Sequence, residues 1–212
     1  MMRKMRSLGD SEENIDDVLF FNELCHSCVH KHVAGLKCNN VHCMDRQVKR
    51  MQKMIDRSHY SIDMAIYSLT TPEMIDALQR AQHRGIKLRI IISDTGVVEN
   101  SVLHNLKQCG ASIRKPPMTK NLMHHKFCVI DGHKRVEQLL HRRNSDHSEL
   151  TKLSCPLVMI GSANWSVSDL YTSYNSVIIS TNSKLVTELE LEFCRLWQIL
   201  KNPKESSSYS IS

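Results

Sequence analysis

His124-His125-Lys126-Phe127-Cys128-Val129-Ile130-Asp131, followed at a distance by Gly161-Ser162-Ala163-Asn164, is the pair of segments on which the reading of this chain turns. In an extended strand successive side chains alternate between faces, so His124 and Lys126 point one way and His125 the other. An imidazole and an ammonium then share one pocket. That pairing suits a phosphodiester: the cation neutralises phosphate oxygens, and an imidazole titrating near neutrality can act as nucleophile or as general acid. Ser162 and Asn164 are also two apart, so a hydroxyl and an amide can aim hydrogen-bond donors at the same phosphate. Both segments adjoin short apolar runs, 125–130 and 157–160, that read as buried strands.

Outward from this centre, strands and helices alternate. Apolar positions Val41, Met44, Val48, Met51, Met54 and Ile55 recur at three- and four-residue steps, which predicts an amphipathic helix over 41–58. A buried strand is expected over 59–69. Thr71-Pro72-Glu73 marks a helix start and Gly85 its end. Strands at 87–94, 111–114 and 176–180 and helices at 101–109, 165–171 and 183–200 complete the pattern. It predicts an α/β fold, a layered sheet with helices on both faces. Between Asp131 and Leu157, residues 132–156 are basic and histidine-rich and read as an insertion; its Val136, Leu139 and Leu140 have the spacing of a turn or two of helix, and Arg142-Arg143 could touch a polyanion. Residues 1–19 read as a flexible lead-in and 201–212 as a disordered, serine-rich tail.

The chain has 212 residues, with 28 Lys+Arg against 22 Asp+Glu, a formal charge of +6. That balance favours a polyanionic partner. Aromatics make up only 5%, which disfavours a surface that grips bases mainly by stacking and points to phosphate contacts with low sequence selectivity. No apolar run reaches the ~18 residues needed to cross a bilayer. Four of the eight cysteines fall close together, as Cys25-x2-Cys28-x9-Cys38-x4-Cys43. Two such pairs predict a tetrahedral zinc site in a small module over 20–45. His26, His30, His32 and His42 crowd the same stretch, and any one can stand in for a cysteine.

HxKx4D followed by GSxN on apolar strands is a signature of the phospholipase D superfamily. Within it the chain resembles the Zucchini-type, or mitochondrial phospholipase D-like (mitochondrial cardiolipin hydrolase), endonucleases, over roughly residues 18–200. The matching segments are Val18–Phe21, Asp63–Tyr67, Arg84–Arg89, Asn121–Phe127 and Gly161–Trp165, and the histidine-rich insertion is similar to that of insect members. The resemblance implies a phospholipase D-like α/β/α layered mixed sheet over 46–200 beside a zinc-finger-like module. It implies His124 as a nucleophile forming a phosphohistidine, Lys126, Ser162 and Asn164 as phosphate binders, and Asp131 as an orienter of the motif. Structural zinc is implied, and no catalytic metal. The superfamily mechanism uses two such histidines and this chain has one HxKx4D, so a homodimer with a composite active site is expected.

The substrate implied is single-stranded RNA, cut to leave 5′-monophosphate ends in PIWI-interacting RNA production and transposon silencing; single-stranded DNA can serve too, because attack by histidine needs no 2′-hydroxyl. The location implied is the mitochondrial outer membrane facing the cytosol. Cardiolipin, an anionic phospholipid, is the alternative substrate, disfavoured by positive charge and by the absence of a hydrophobic loop near His124. An inactive RNA-binding paralogue is a further alternative. Family members carry a Glu-Asn pair where this chain has Asn175-Ser176; Asn175 is then a candidate to orient the histidine, and Asn175→Glu is expected to raise turnover.

Overall fold

The computed structural model describes residues 15–93, 97–117, 122–141 and 155–201. In chain order its elements are β1 (Asp16–Phe21), α1 (Glu23–His26), α2 (Val29–Val33), α3 (Met44–Asp56), β2 (Ser61–Ile66), α4 (Pro72–His83), β3 (Lys87–Ile92), α5 (Val97–Gln108) and β4 (Ser112–Arg114). There follow β5 (Lys126–Ile130), α6 (His133–His141), β6 (Leu157–Gly161), α7 (Val167–Tyr171), β7 (Asn175–Ser180) and α8 (Ser183–Ile199). The strands form one mixed sheet in the order β1-β7-β6-β5-β2-β3-β4. β2, β3 and β4 run parallel, while β5, β6, β7 and β1 each lie antiparallel to a neighbour.

The two faces are covered separately. Ile62, Met64 and Ile66 of β2, with Ile90, Ile92, Cys128 and Ile130, pack against Val48, Met51, Ile55, Met74 and Leu78 of α3 and α4. The alternate residues Ala65, Ile91, Phe127, Val129 and Val158 meet Val186 and Phe193 of α8. Each large apolar side chain so buried contributes about 1.5–3 kcal/mol. The parallel register sets Asp63 beside Arg89, and these form a buried bidentate ion pair at 2.7 and 2.5 Å. The guanidinium lies under the rings of Phe193 and Trp197, 5.0 and 5.3 Å from their centroids, so the charge is shielded by aromatic faces.

Local signals explain most boundaries. Pro72 opens α4, and Gly85, at φ +88°, takes the left-handed position after its C-cap. The methionine stripe is core: Met44 and Met51 are buried. The helix starts at Met44 instead of 41, because Cys43 is its N-cap and Val41 lies outside it, 73% exposed. α5 begins four residues before the expected 101. The expected lead-in is also shorter than 1–19. Asp16–Phe21 forms edge strand β1, with Leu19 and Phe21 inward and Val18 and Phe20 outward, paired with β7.

Within the insertion, α6 buries Val136, Leu139 and Leu140. Glu190 of α8, itself 1% exposed, accepts from the backbone N–H groups of Lys134 and Arg135 and so satisfies the first turn of α6. Arg142-Arg143 and residues 202–212 lie outside the described residues.

Candidate active site and metal centre

Register brings the motif residues to one end of the sheet. Lys126 begins β5 opposite Ile66, the last residue of β2, while Phe127 pairs with Ile160 and Gly161 with Val177. The loops carrying Tyr67, His124 and Ser162, and the start of β7 at Asn175, therefore lie at that same end. His124 is exposed and its ring meets Tyr67 edge-on, with centroids 5.5 Å apart. Lys126 Nζ lies 5.6 Å from the centre of the same ring and donates to the His124 carbonyl at 3.1 Å. His125 faces the other way, 3.5 Å from Glu192 on α8, as the alternation predicts.

The strand β6 can reach this end only through glycine: a Cβ on Gly161 would stand 2.0 Å from the carbonyl oxygen of Ser176. Ser162 follows, donating to Asn175 Oδ1 at 2.8 Å and accepting from the Ser176 N–H. Asn164 Oδ1 accepts from the Ser68 N–H at 3.2 Å. Its Nδ2 donates to Asp169 Oδ2 at 2.9 Å, which leaves its second amide hydrogen for a ligand. Partial burial lowers the Lys126 ammonium below the usual lysine range, and the Asp169 carboxylate pulls it back up. The set can hold a phosphate between the Lys126 ammonium and the remaining amide hydrogen of Asn164, with an imidazole at its rim; the Ser162 hydroxyl, expected to donate to the same phosphate, spends its single hydrogen on Asn175.

Two of the expected residues have partners other than the His124 ring. Asp131 is at the far end of β5 from His124, 1% exposed and at φ +51°, where its carboxylate accepts from the backbone N–H groups of His59, Tyr60 and Ser61, each at 2.8 Å. It joins the start of β2 to the end of β5. Asn175 engages Ser162 through Oδ1 and the Asp169 carbonyl through Nδ2, at 3.1 Å, and not the His124 ring. A glutamate there would keep the acceptor and lose the donor, so the expected gain from Asn175→Glu does not follow from this geometry.

Tyr67 and Asp169 are site residues that motif reasoning did not single out. For Asp169 a signal existed: Ser166-x-x-Asp169 is a capping-box spacing, and Ser166 Oγ does accept from the Asp169 N–H at 3.2 Å.

The surroundings of His124 also differ from expectation. Leu122 is 65% exposed, and a cleft of about 650 Å³ beside His124 has an apolar wall of Pro116, Pro117, Leu196 and Ile199. A hydrophobic rim therefore does adjoin the histidine, because the end of α8 and the loop before β5 face each other across it.

Residues 51–197 match the family described as cardiolipin synthase, PLD-like domain. The chain belongs to the phospholipase D superfamily. It is 35% identical to the mitochondrial cardiolipin hydrolase of Drosophila melanogaster, covering 91% of this chain and 79% of that one, and 25% identical to the Danio rerio protein of the same name, covering 91% and 77%. NucT from Helicobacter pylori has a similar fold, with a TM-score of 0.60 at 16% identity over 88% of this chain and 97% of its own. The phospholipase D family member Nuc from Salmonella typhimurium gives 0.59 at 19%, covering 88% and 95%. The phospholipase D fold thus accounts for the sheet, and membership places the chain among phosphodiesterases. Among the described residues no helix is long and apolar enough to cross a membrane.

In this phospholipase D-like chain the N-terminal cysteine cluster is a candidate metal centre with an altered ligand set. Donor atoms of Cys28, His32, Cys38 and Cys43 all lie within 4.8 Å of one another. Tetrahedral zinc with thiolates at ~2.3 Å separates neighbouring sulfurs by about 3.8 Å, so this set fits the ion. Cys25 is outside it: its thiol donates to the Phe20 carbonyl at 2.9 Å and it is buried in the main core. The reason is a break between α1 and α2. Cys25 sits on α1 and turns inward under β1, whereas Cys28 caps α2 and His32 follows four residues on, on the same side of the helix.

Burial raises the Cys38 thiol, but hydrogen bonds from the Asn40 amide and from Cys28, Cys43 and His32 outweigh it and bring it down to about 7, whereas burial and the same hydrogen bond push its partner Cys28 up to about 11, so Cys38 is the first of the two to become a thiolate. Cys25→Ser is therefore expected to retain one metal ion per chain, and Cys28→Ser or His32→Ala to lose it. Metal released on denaturation in a chromogenic chelator assay measures this; loss in Cys25→Ser with retention in His32→Ala would restore the four-cysteine set.

Proposed function

We propose that this chain is an endonuclease for single-stranded RNA that needs no catalytic metal, working as a homodimer with a composite site. The observation that carries the reading is the gathering of an exposed His124, Lys126, Ser162 and Asn164 at one sheet end, once per chain. A His124 nitrogen attacks phosphorus and the P–O3′ bond breaks. The partner's His124, acting as general acid, gives its proton to the leaving O3′. Water then attacks the phosphohistidine, giving its proton to the partner's now neutral His124; the P–N bond breaks, and a 5′-monophosphate is released as both histidines return to their starting states. Lys126 and the Asn164 amide offset the charge that builds on the phosphoryl oxygens.

A twofold axis beside the exposed imidazole would bring both histidines to one phosphate. Zinc at Cys28, His32, Cys38 and Cys43 would be structural, since a set of three thiolates and one imidazole closes the tetrahedron. Work in PIWI-interacting RNA production and transposon silencing, at the mitochondrial outer membrane facing the cytosol, fits the family resemblance and the mitochondrial names of the relatives.

A second reading is hydrolysis of cardiolipin at the same histidine. The apolar wall of the cleft beside His124 favours it, as does the name of the relatives. The test presents purified protein, without added metal, with 5′-labelled single-stranded RNA, single-stranded DNA, duplex RNA and cardiolipin-containing vesicles. Single strands are expected to be cut to 5′-phosphate ends and the duplex spared. Phosphatidic acid release with intact RNA would replace the first reading by the second, and no turnover of any substrate would remove both.

A further inference from the structure

Among the groups described, one residue, Asp169, anchors both asparagines of the phosphate cradle. Asp169 Oδ2 accepts from the backbone N–H of Asn164 at 2.7 Å and from its side-chain Nδ2 at 2.9 Å. The Asp169 carbonyl accepts from Asn175 Nδ2, and Asn175 in turn fixes the Ser162 hydroxyl. The negative charge of the carboxylate also offsets part of the effect of burial on the Lys126 ammonium. An anion beside a phosphate-binding site is costly unless it does something that a neutral group cannot.

We infer that Asp169 is the positioning residue of the phosphate cradle, its carboxylate clamping Asn164 so that the remaining amide hydrogen points at the phosphoryl oxygens, while its main-chain carbonyl holds Asn175 beside Ser162. This deepens the reading of His124 and Lys126 as a phosphodiester site and rests on it. The carboxylate takes one of the two Asn164 amide hydrogens, so the other has a single direction left in which to point. The Ser68 N–H on Asn164 Oδ1 prevents the amide from flipping, because a flipped Nδ2 would face that donor. Asp169 in turn is fixed by Ser166 at the start of α7. The groups facing Lys126 are Tyr67 from the end of β2, His124 from its own loop and Asp169 from α7. Asp169 is the one that carries negative charge.

Two substitutions separate shape from charge. Asp169→Asn retains an oxygen able to accept from Asn164 and removes the charge; Asp169→Ala removes both. Binding of inorganic phosphate to the full chain, followed by calorimetry, is expected to weaken about ten- to hundredfold in Asp169→Ala, the scale of a lost charged hydrogen-bond clamp. Cleavage of single-stranded RNA or of a simple aryl phosphodiester is expected to fall by a similar factor in kcat/KM. In Asp169→Asn the phosphate affinity drops less. Removing the anion also removes the influence that raises the Lys126 pKa, so the alkaline limb of the kcat/KM profile moves to lower pH.

A purely structural Asp169 would lower the melting temperature and leave that limb in place. Phosphate affinity of Asp169→Ala within twofold of wild type overturns the inference. If wild type binds phosphate but cleaves no diester, the proposed function falls while the binding comparison still decides the role of Asp169. Wild-type phosphate binding that survives Lys126→Ala unchanged overturns both.

Discussion

His124→Asn is expected to abolish strand cleavage, lowering kcat by about 10⁴-fold or more, the size of effect seen when a nucleophile is removed from a site whose other groups remain. Asparagine keeps a polar side chain at the position but cannot form the phosphoryl–nitrogen bond. The fold should not notice, since the ring is exposed, its described contact is the edge of Tyr67, and Lys126 bonds only the His124 carbonyl, which survives. The melting temperature is therefore expected to stay within a degree or two of wild type. The composite site adds a sharper expectation. Excess His124→Asn subunits, allowed to exchange, should titrate wild-type activity towards zero, because a mixed dimer owns one imidazole where two are needed. Activity proportional to the wild-type chains present would show that each copy works alone.

Asp131→Ala is the largest expected loss of stability. Three backbone N–H groups converge on this carboxylate, and a methyl satisfies none of them. Orphaned amides cost about 1–3 kcal/mol each. Alanine is also poorly suited to φ +51°, a conformation that aspartate and asparagine tolerate. A loss of about 3–5 kcal/mol is expected, which for a domain of this size lowers the melting temperature by roughly 10 °C. Asp131→Asn, with one acceptor and the same backbone tolerance, should fall between. Because Asp131 lies at the opposite end of β5 from His124, the fraction that remains folded should lose far less activity than His124→Asn. An Asp131→Ala protein that melts normally yet is inactive would return Asp131 to the chemistry.

The motif end of the sheet was legible because its information is local. Two residues apart on a strand means the same face, and Pro72, Gly85 and the Val136-Leu139-Leu140 spacing each act within one or two turns of helix. What escaped depends on pairings that the period of the side chains does not encode. β1 opens with two aspartates and earns its place only by pairing with β7, some 160 residues later. Asn175 lies at a strand end where its amide finds Ser162 and the Asp169 carbonyl before any imidazole. At the candidate metal centre the cysteine spacing puts Cys25 in the set and leaves four histidines as possible stand-ins; the break between α1 and α2 turns Cys25 inward, and His32, one helical turn beyond Cys28, is the histidine that joins the cluster.

The close passage of Gly161 against Ser176 sets a boundary for anyone wishing to retarget this scaffold. With no room for even a methyl, the antiparallel pairing of β6 and β7 at Gly161 is a fixed support for the loop that carries Ser162 and Asn164. New ester preferences would have to be written into the cleft wall formed by Pro116, Leu122 and Leu196, while that one pairing is left as it is.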